Sequence, residues 1–489
     1  MSIFKQYDIR GKYPEEINQQ IIEEIAKSLI LYFKASKIAV GYDMRESSQI
    51  LSKAFINKVS QKTEVLDLGV VSAGMLFFAQ NKYKPDLTAY ITASHVGKNF
   101  NGIKILGNNG APVAGNDLKK VEQFMCDFSK SQSDSGQGAK RQVDVLNDYL
   151  NWLTEQIDSD KLKPLKIVLD AANGPIARVL SRLCAAIPCQ PIKLNFGIKD
   201  KFLDHSPDPL KPESHRDVQK LVKQHNADLG CLWDGDGDRI VFFDDKAEFV
   251  HPYYITMLLV KIILKCKKNA LIRSALPRKS SARLNILHDD RLKLGLQYEI
   301  AMQNSRLKTI KAGWPNFIKA IKKQKAVFGA ETSAHYYFRA LRENKVLRAK
   351  RAGSYFPLGH CNPDAMQNGC AVTADGILPL LLILEYLSKK NISLSQALAV
   401  FREKYFVMPE MNFYDIDFAQ ARQKLQKHFI KENQSFLDGI SITSKNWHLN
   451  LRQSETEPEL TRLNLEADSR KLLESKKEEV LNLIKVEDL

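Results

Sequence analysis

The chain has 489 residues, 44% of them hydrophobic and 26% charged, with 24 Gly and 18 Pro; this is the composition of packed globular proteins and excludes disordered, fibrous and collagen-like readings. Lys and Arg outnumber Asp and Glu by 72 to 56, a formal charge of +16, which favours anionic partners such as phosphorylated metabolites, nucleic acid or acidic lipid. The most apolar stretch, Ile377 to Leu384, contains Pro379 and is followed by Glu385, far short of the roughly 18 residues a bilayer span needs, so no membrane partner is expected.

The N-terminus carries Lys5 and no apolar run leading to a small-residue cleavage site, so no secretory signal is read there and a cytoplasmic location is expected. The seven cysteines, Cys126, Cys184, Cys189, Cys231, Cys266, Cys361 and Cys370, form no Cys-x-x-Cys pair and read as reduced, mostly buried thiols. No zinc finger, basic zipper or aromatic RNA-binding segment occurs, so nucleic acid is not an expected partner. The densest basic patch, Arg339 to Arg351, reads as a solvated surface segment.

At this length several compact units are required. The first, over 1–140, alternates an amphipathic Glu15–Phe33, the apolar Ile38-Ala39-Val40, a helix-like Ser47–Val59, Val65–Leu68 and Leu87–Ile91, the patterning of an α/β domain with buried strands. Ser129 to Gly138 reads as a linker. A second α/β cycle, over 141–250, begins at Lys166 to Asp170 and closes on Asp228 to Leu232 before an acidic loop. A third, over 251–407, starts near Pro252 and has the strand Ala326-Val327-Phe328. The last segment, 408–489, combines a helix-like Phe418–Phe429, strand-like stretches at Ile440–Ile442, Trp447–Leu451 and Leu460–Leu465, and a terminal helix from Ser469. Three similar α/β units and a different tail are expected.

Four loops carry chemistry, one per unit. Thr92 to Lys104 follows a buried strand, so Ser94 stands where α/β sheets place ligands, as a nucleophile or phosphate carrier, with His95 as its partner and Lys104 as a cationic or acid/base group. Asp234-Gly235-Asp236-Gly237-Asp238-Arg239 sets three carboxylates within five residues, tolerable when a hard cation neutralises them. It is not an EF-hand, because Arg239 and Asp245 stand where that loop needs Gly and Glu. Gly329 to His335 offers Glu331, Thr332, Ser333 and His335 for recognising vicinal sugar hydroxyls. Arg452 to Pro458 supplies a forked cation and hydroxyls for holding a phosphate, through Arg452, Ser454 and Thr456.

These residues, with Tyr7-Asp8-Ile9-Arg10-Gly11 at the start, resemble the α-D-phosphohexomutase family, and within it the phosphomannomutase/phosphoglucomutase branch. The resemblance covers nearly the whole chain. It implies a heart-shaped protein of four domains around a cleft, three sharing an α/β core and the last, α+β, resembling the TATA-binding-protein fold. It also implies a Mg²⁺ ion on Asp234, Asp236, Asp238 and Ser94, and a phosphorylated Ser94 that exchanges phosphoryl groups with a hexose 1- or 6-phosphate. The exchange would pass through a hexose 1,6-bisphosphate, which also serves as activator. Arg10, His95, Lys104, Arg239 and His335 would move protons and stabilise charge. Tyr7, Glu331 and Ser333 would contact the sugar, and Arg452, Ser454 and Thr456 the phosphate that is not reacting. Sugar phosphates are the partners so implied, to a monomer or homodimer.

The chain departs from the family pattern in several places, with Ala330 and Thr332 standing for a common Gly and a common Met in the sugar loop. Val96-Gly97 replaces the usual Asn-Pro after Ser94-His95, Trp314 replaces a usual His after Gly313, and an insertion lies between Ala340 and Val372. Two other readings follow from the same residues: a catalytically impaired relative that binds sugar phosphates or acts as a scaffold, and a phosphoglucosamine mutase.

Overall fold

Leu87–Ile91 and Leu229–Trp233 are buried at every residue, the state of strands covered on both faces by helices. With Phe328–Ala330, also fully buried, they form the centres of three sheets in the computed structural model, which describes residues 2–128, 138–197, 206–265, 283–339, 372–455, 457 and 459–484. Residues 129–137 of the expected linker and the 340–371 insertion, with most of the basic patch, lie outside the described residues.

The three sheets share one plan. In the second, strands run in the spatial order Cys189–Leu194, Leu165–Asp170, Leu229–Trp233, Ile240–Phe243, Phe249–Val250. In the third the order is Arg306–Ile310, Asn285–Asp289, Phe328–Ala330, Tyr336–Arg339, Val372–Ala374. Each has three parallel strands, in the order second, first, third, followed by antiparallel fourth and fifth strands. The first sheet repeats this with Glu64–Val70, Lys37–Tyr42, Leu87–Ile91 and Phe100–Leu106; Ile9–Lys12 takes the fifth place, and Ala139–Gln142 adds a strand beyond Glu64–Val70. Because the fourth strand turns straight back on the third, each third-to-fourth loop lies at the carboxyl end of the parallel strands, where such sheets bind ligands.

The remaining sheet is antiparallel throughout: Phe406–Val407, Thr461–Ala467, Trp447–Gln453, Ile440–Thr443 and Asn433–Ser435, with Met411–Phe413 also on Thr461–Ala467. Helices Phe418–His428 and Arg470–Ile484 bury Leu425, Leu473 and Val480 in the same core as Leu449 and Leu465. One apolar cluster runs through the three α/β units, from Met75 and Phe78 through Val168 and Phe242 to Phe317 and Phe338. Helix Ala73–Tyr83 ties the first unit to the others, with Ala73 to Gln80 all buried.

Several elements differ from the sequence reading. The first helix is Gln19–Phe33 rather than starting at Glu15, because Asn18 caps it by accepting from Ile21 N at 3.1 Å. The third-unit strand is Phe328–Ala330, displaced from Ala326–Phe328 towards the loop by its pairing with Ile286–His288. Phe100–Leu106, read as the rest of the Ser94 loop, is a strand, and Lys104 stands on it opposite Tyr90. Among the described cysteines only Cys231 is buried; Cys184 and Cys189 are half-buried and Cys126 is exposed, because Cys126 and Cys184 sit on the helices Asn116–Phe128 and Ile176–Ala186 and Cys189 on the edge strand of the second sheet.

Candidate active site

The three third-to-fourth loops meet. Ser94 is buried and has a left-handed backbone, φ +54°, which turns its side chain out of the first sheet. Its Oγ lies 3.0 Å from Asp236 Oδ1, 3.4 Å from Asp234 Oδ2 and 3.3 Å from His95 Nδ1. The loops touch so closely that a Cβ on Gly235 would fall 2.7 Å from the Ser94 carbonyl oxygen, so only glycine fits there.

Asp234, Asp236 and Asp238 are buried, and one ligand atom of each lies within 4.8 Å of the other two. Asp234 Oδ1 accepts from the backbone N–H groups of Gly237 and Arg239, both at 3.1 Å, so the loop ties itself. Burial and the charges of Asp238 and Asp236 push the Asp234 carboxyl well above its usual range, as crowding of like charges does. Burial also opposes charge on Asp238, but Lys104, His335 and Arg239 outweigh it and hold that carboxyl low. Lys104 Nζ reaches over from the first sheet, 2.7 Å from Asp236 Oδ2 and 3.0 Å from Asp238 Oδ2. Against its own burial these carboxylates keep it firmly protonated.

Arg239 joins the second loop to the other two. Its backbone bridges to His335, Nε lies 3.3 Å from His335 Nε2, and Nη2 donates to His95 Nδ1 at 3.0 Å. Burial, then Arg239 and Arg10, drive the His95 imidazole well below its ordinary range, so it is neutral. His335 Nε2 stands 3.3 Å from Asp238 Oδ1, and Ser333 Oγ 3.0 Å from His335 Nδ1. Glu331 is buried; it accepts from Gly313 N at 2.7 Å and from the Tyr337 hydroxyl at 2.5 Å. Trp314, beside Gly313, lines a small cavity with Lys104, Asp238 and Tyr90.

Tyr7 and the fourth loop lie towards the last sheet. The Tyr7 hydroxyl donates to Ala312 O at 3.0 Å; burial and then Glu455, Glu331 and Asp438 raise its pKa, which puts it among residues of the third and fourth units. Arg10 pairs with Asp8. Arg452 is nearly buried, 4.0 Å from Glu410 Oε2, and Ser454 Oγ accepts from Glu457 N at 3.2 Å. Lys311 bonds Glu455 at 2.5 Å across the two units. The charges of Arg291, Glu410 and Asp438 act on Arg452, which puts it beside the Asp289–Arg291 segment of the third unit. Thr456 lies outside the described residues.

Family models identify the same three units: phosphoglucomutase/phosphomannomutase alpha/beta/alpha domain I over residues 1–130, domain II over 147–247 and domain III over 269–405. The chain belongs to the α-D-phosphohexomutase family, in its phosphomannomutase/phosphoglucomutase branch. It is 30% identical to a phosphomannomutase of Escherichia coli, over 99% of both chains, and 28% identical to a phosphohexose mutase of Xanthomonas campestris, again over 99% of each. A solved phosphoglucomutase/phosphomannomutase family protein of Burkholderia thailandensis has the same fold, with a TM-score of 0.79 at 22% identity over 98% of this chain and 97% of that one. Membership makes this chain a phosphohexomutase, an isomerase. No helix among the described residues is long and apolar enough to cross a membrane.

The sequence reading of this phosphohexomutase missed one group of residues. Asp43 and Arg45 hold the Ser94 loop, and Asp289 and Arg291 hold the Glu331 loop. The available signal was an Asp-x-Arg two or three residues after an apolar run, Ile38-Ala39-Val40 in one case and Ile286-Leu287 in the other.

Proposed function

We propose that this phosphohexomutase interconverts hexose 1-phosphate and hexose 6-phosphate, of mannose, glucose or both, through a phosphoserine at Ser94 and a hexose 1,6-bisphosphate. The observation that carries this is the Ser94 hydroxyl, buried and 3.0 Å from Asp236 at the mouth of a three-carboxylate cluster. A hydroxyl so placed can carry a phosphate whose charge a cation on the same carboxylates neutralises.

Mg²⁺ fits the donor set, since it takes oxygen ligands and the cluster offers three carboxylates and a hydroxyl. Asp234, Asp236, Asp238 and phosphorylated Ser94 would hold it, and when bound it would draw charge from the transferring phosphoryl group.

The chain's own residues do the rest. Glu331 and Ser333 take the sugar hydroxyls, with Tyr7 beside them, while Arg452, Ser454 and Thr456 grip the far phosphate. A free sugar hydroxyl then attacks the phosphorus on Ser94; its O–P bond forms as the Oγ–P bond breaks, and its proton passes to a neighbouring base, for which His335 is the candidate. Lys104, Arg239 and Arg10 stabilise the charge on the equatorial oxygens, and His95 orients the Ser94 oxygen. The bisphosphate turns over within the cleft, and the Ser94 hydroxyl takes back the other phosphoryl group. An anionic sugar phosphate suits the positive charge of the chain, and we assign the activity to the cytoplasm.

The test is a coupled assay of mannose 1-phosphate and glucose 1-phosphate conversion to their 6-phosphates, with Mg²⁺ and a trace of hexose 1,6-bisphosphate. Turnover of either sugar supports the reading and ranks the substrates. Silence on both from serine-phosphorylated protein would redirect it to an aminosugar phosphate.

A further inference from the structure

Because the three α/β units share a strand plan, the carboxyl end of the first strand can be compared between them. It is Lys37–Tyr42 followed by Asp43 in the first unit and Asn285–Asp289 in the third. In both, an Arg follows the Asp by two positions and is nearly buried, at 7% and 5% exposure for Arg45 and Arg291. In both, the carboxylate accepts from the backbone N–H and the Nε of that Arg. Asp43 Oδ1 accepts from Arg45 N at 3.0 Å and Asp43 Oδ2 from Arg45 Nε at 3.2 Å; Asp289 Oδ1 accepts from Arg291 N at 3.0 Å and Nε at 2.9 Å. Each carboxylate also takes a threonine hydroxyl from the third-to-fourth loop of its own sheet, Thr92 at 2.7 Å and Thr332 at 3.0 Å.

The guanidinium groups then reach the loops themselves. Arg45 Nη2 donates to Ser94 O at 3.0 Å and Val96 O at 2.6 Å, and Nη1 to Gly97 O at 2.9 Å and Phe100 O at 3.1 Å. One planar fork thus gathers four carbonyls of the segment that presents Ser94. Arg291 Nη2 lies 2.7 Å from Asp289 Oδ2, 3.5 Å from Ser333 Oγ and 3.9 Å from Glu331 Oε1, and Asp289 accepts from Thr332 N at 2.6 Å. The second unit keeps only the carboxylate: Asp170 accepts from Ala172 N at 2.9 Å, with alanine in place of the Arg. Its metal loop needs no such fork because Asp234 ties it internally.

We infer that Asp43–Arg45 and Asp289–Arg291 are a repeated loop-holding device, with Arg45 a positioning residue for the phosphate-carrying Ser94 and Arg291 for the sugar-reading Glu331 and Ser333. The roles of the two loops rest on the function proposed above; the holding does not. Arg45 acts by fixing the left-handed backbone at Ser94 that aims Oγ at Asp236. It also explains how this chain keeps an ordered loop with Val96-Gly97 at its tip, since the fork takes the carbonyls of both residues whatever their side chains. Lysine keeps the charge opposite Asp43 but is a point donor, without the planar fork that spans four acceptors.

The experiment compares Arg45→Lys, Arg45→Ala and Arg291→Lys with the wild-type chain by hydrogen exchange and kinetics. Both Arg45 variants are expected to lose protection at Ser94, Val96 and Phe100 with the Glu331–His335 amides unchanged, and Arg291→Lys is expected to do the reverse at Thr332 and Ala334. Displacing Ser94 by about 1 Å should lower kcat about 100-fold in Arg45→Lys, with KM nearly unchanged, whereas Arg291→Lys should act mainly on KM. Added guanidinium should restore some of the kcat of Arg45→Ala. Unchanged loop exchange in Arg45→Lys, or exchange raised evenly across all three sheets, would overturn the inference. A wild type silent on hexose phosphates would sink the mutase reading while leaving the exchange data to decide this one.

Discussion

The Ser94 hydroxyl lies 3.0 Å from a carboxylate oxygen of Asp236, 142 residues further along the chain. Neither loop makes this site alone. The first sheet supplies a hydroxyl and, from the next strand, Lys104; the second supplies three carboxylates and Arg239; the third closes the group with His335. The geometry arises because the same turn of the same sheet plan is used three times and one apolar cluster joins the three units.

Replacing Ser94 by alanine removes one oxygen from this junction and no packing. The variant should melt with the wild type yet lose turnover of hexose phosphate by at least about a thousandfold, the scale of losing a nucleophile. Intact-mass measurement should find a phosphate on the wild type and none on the variant. Near-full activity in Ser94→Ala would remove Ser94 from the carrier role.

Removing the metal tests the carboxylates. Dialysis against EDTA should abolish activity and Mg²⁺ should restore it. Asp234→Asn keeps an oxygen to accept from Gly237 N and Arg239 N but removes a charge, so it should raise the Mg²⁺ needed for half-maximal rate by at least about tenfold. The comparison is a Mg²⁺ titration of activity beside one by calorimetry. Full activity in EDTA would contradict a cation on this cluster.

The loops were legible in the sequence because each is a short polar run between apolar strands, and the tight Asp-Gly spacing has few uses other than binding a cation. Helix Ala73–Tyr83 was not, since it is buried on all sides and so has no polar face to give it a helical period. Phe100–Leu106 was hidden by its neighbours: read from Ser94 onward, its Asn101 and Gly102 look like more loop, and only pairing with Leu87–Ile91 and Ile9–Lys12 makes it a strand. Arg45 was missed for a related reason. An Asp-x-Arg reads as a polar turn, and the carbonyls that give it meaning are about fifty residues away.

Glu466, on the last sheet, caps a helix of the third unit. Its Oε1 accepts from Leu294 N at 2.7 Å and also from Lys293 N. Full burial pushes its carboxyl up to about 7, with the bonds from Tyr253 and the backbone only partly offsetting it. The folded protein therefore holds a proton that the unfolded chain releases near its ordinary value of 4.5, so this group's contribution falls as pH rises from 4.5 to 7 and is constant above, a change of about 3 kcal/mol. His448, held at about 4 by burial and Lys293, works in the opposite direction over an overlapping range. The clean measurement is thus a difference: Glu466→Gln keeps the acceptor and loses the titration, so its melting temperature should gain on the wild type between about pH 5 and 7.5. A pH-independent difference would place the Glu466 carboxyl in its usual range.

Gly74 sits where all three α/β units converge, on the first turn of helix Ala73–Tyr83. A Cβ there would lie 2.5 Å from the Tyr149 hydroxyl and 2.7 Å from Asp375 Oδ2, which are themselves hydrogen-bonded at 2.6 Å. Asp375 in turn accepts from Ile377 N and Leu378 N at the start of helix Leu378–Lys390. Helix propensity alone would make Gly74→Ala stabilising, by up to about 1 kcal/mol. The contact reverses that, because the methyl group must push apart a buried, hydrogen-bonded pair, and a net loss of about 2 kcal/mol is expected. Tyr149→Phe removes the nearer obstacle at the cost of the bond to Asp375. The two changes should therefore be non-additive, the double variant melting well above the sum of the single losses. Additive losses would mean that the strain at Gly74 is relieved by backbone movement rather than through the Tyr149–Asp375 pair.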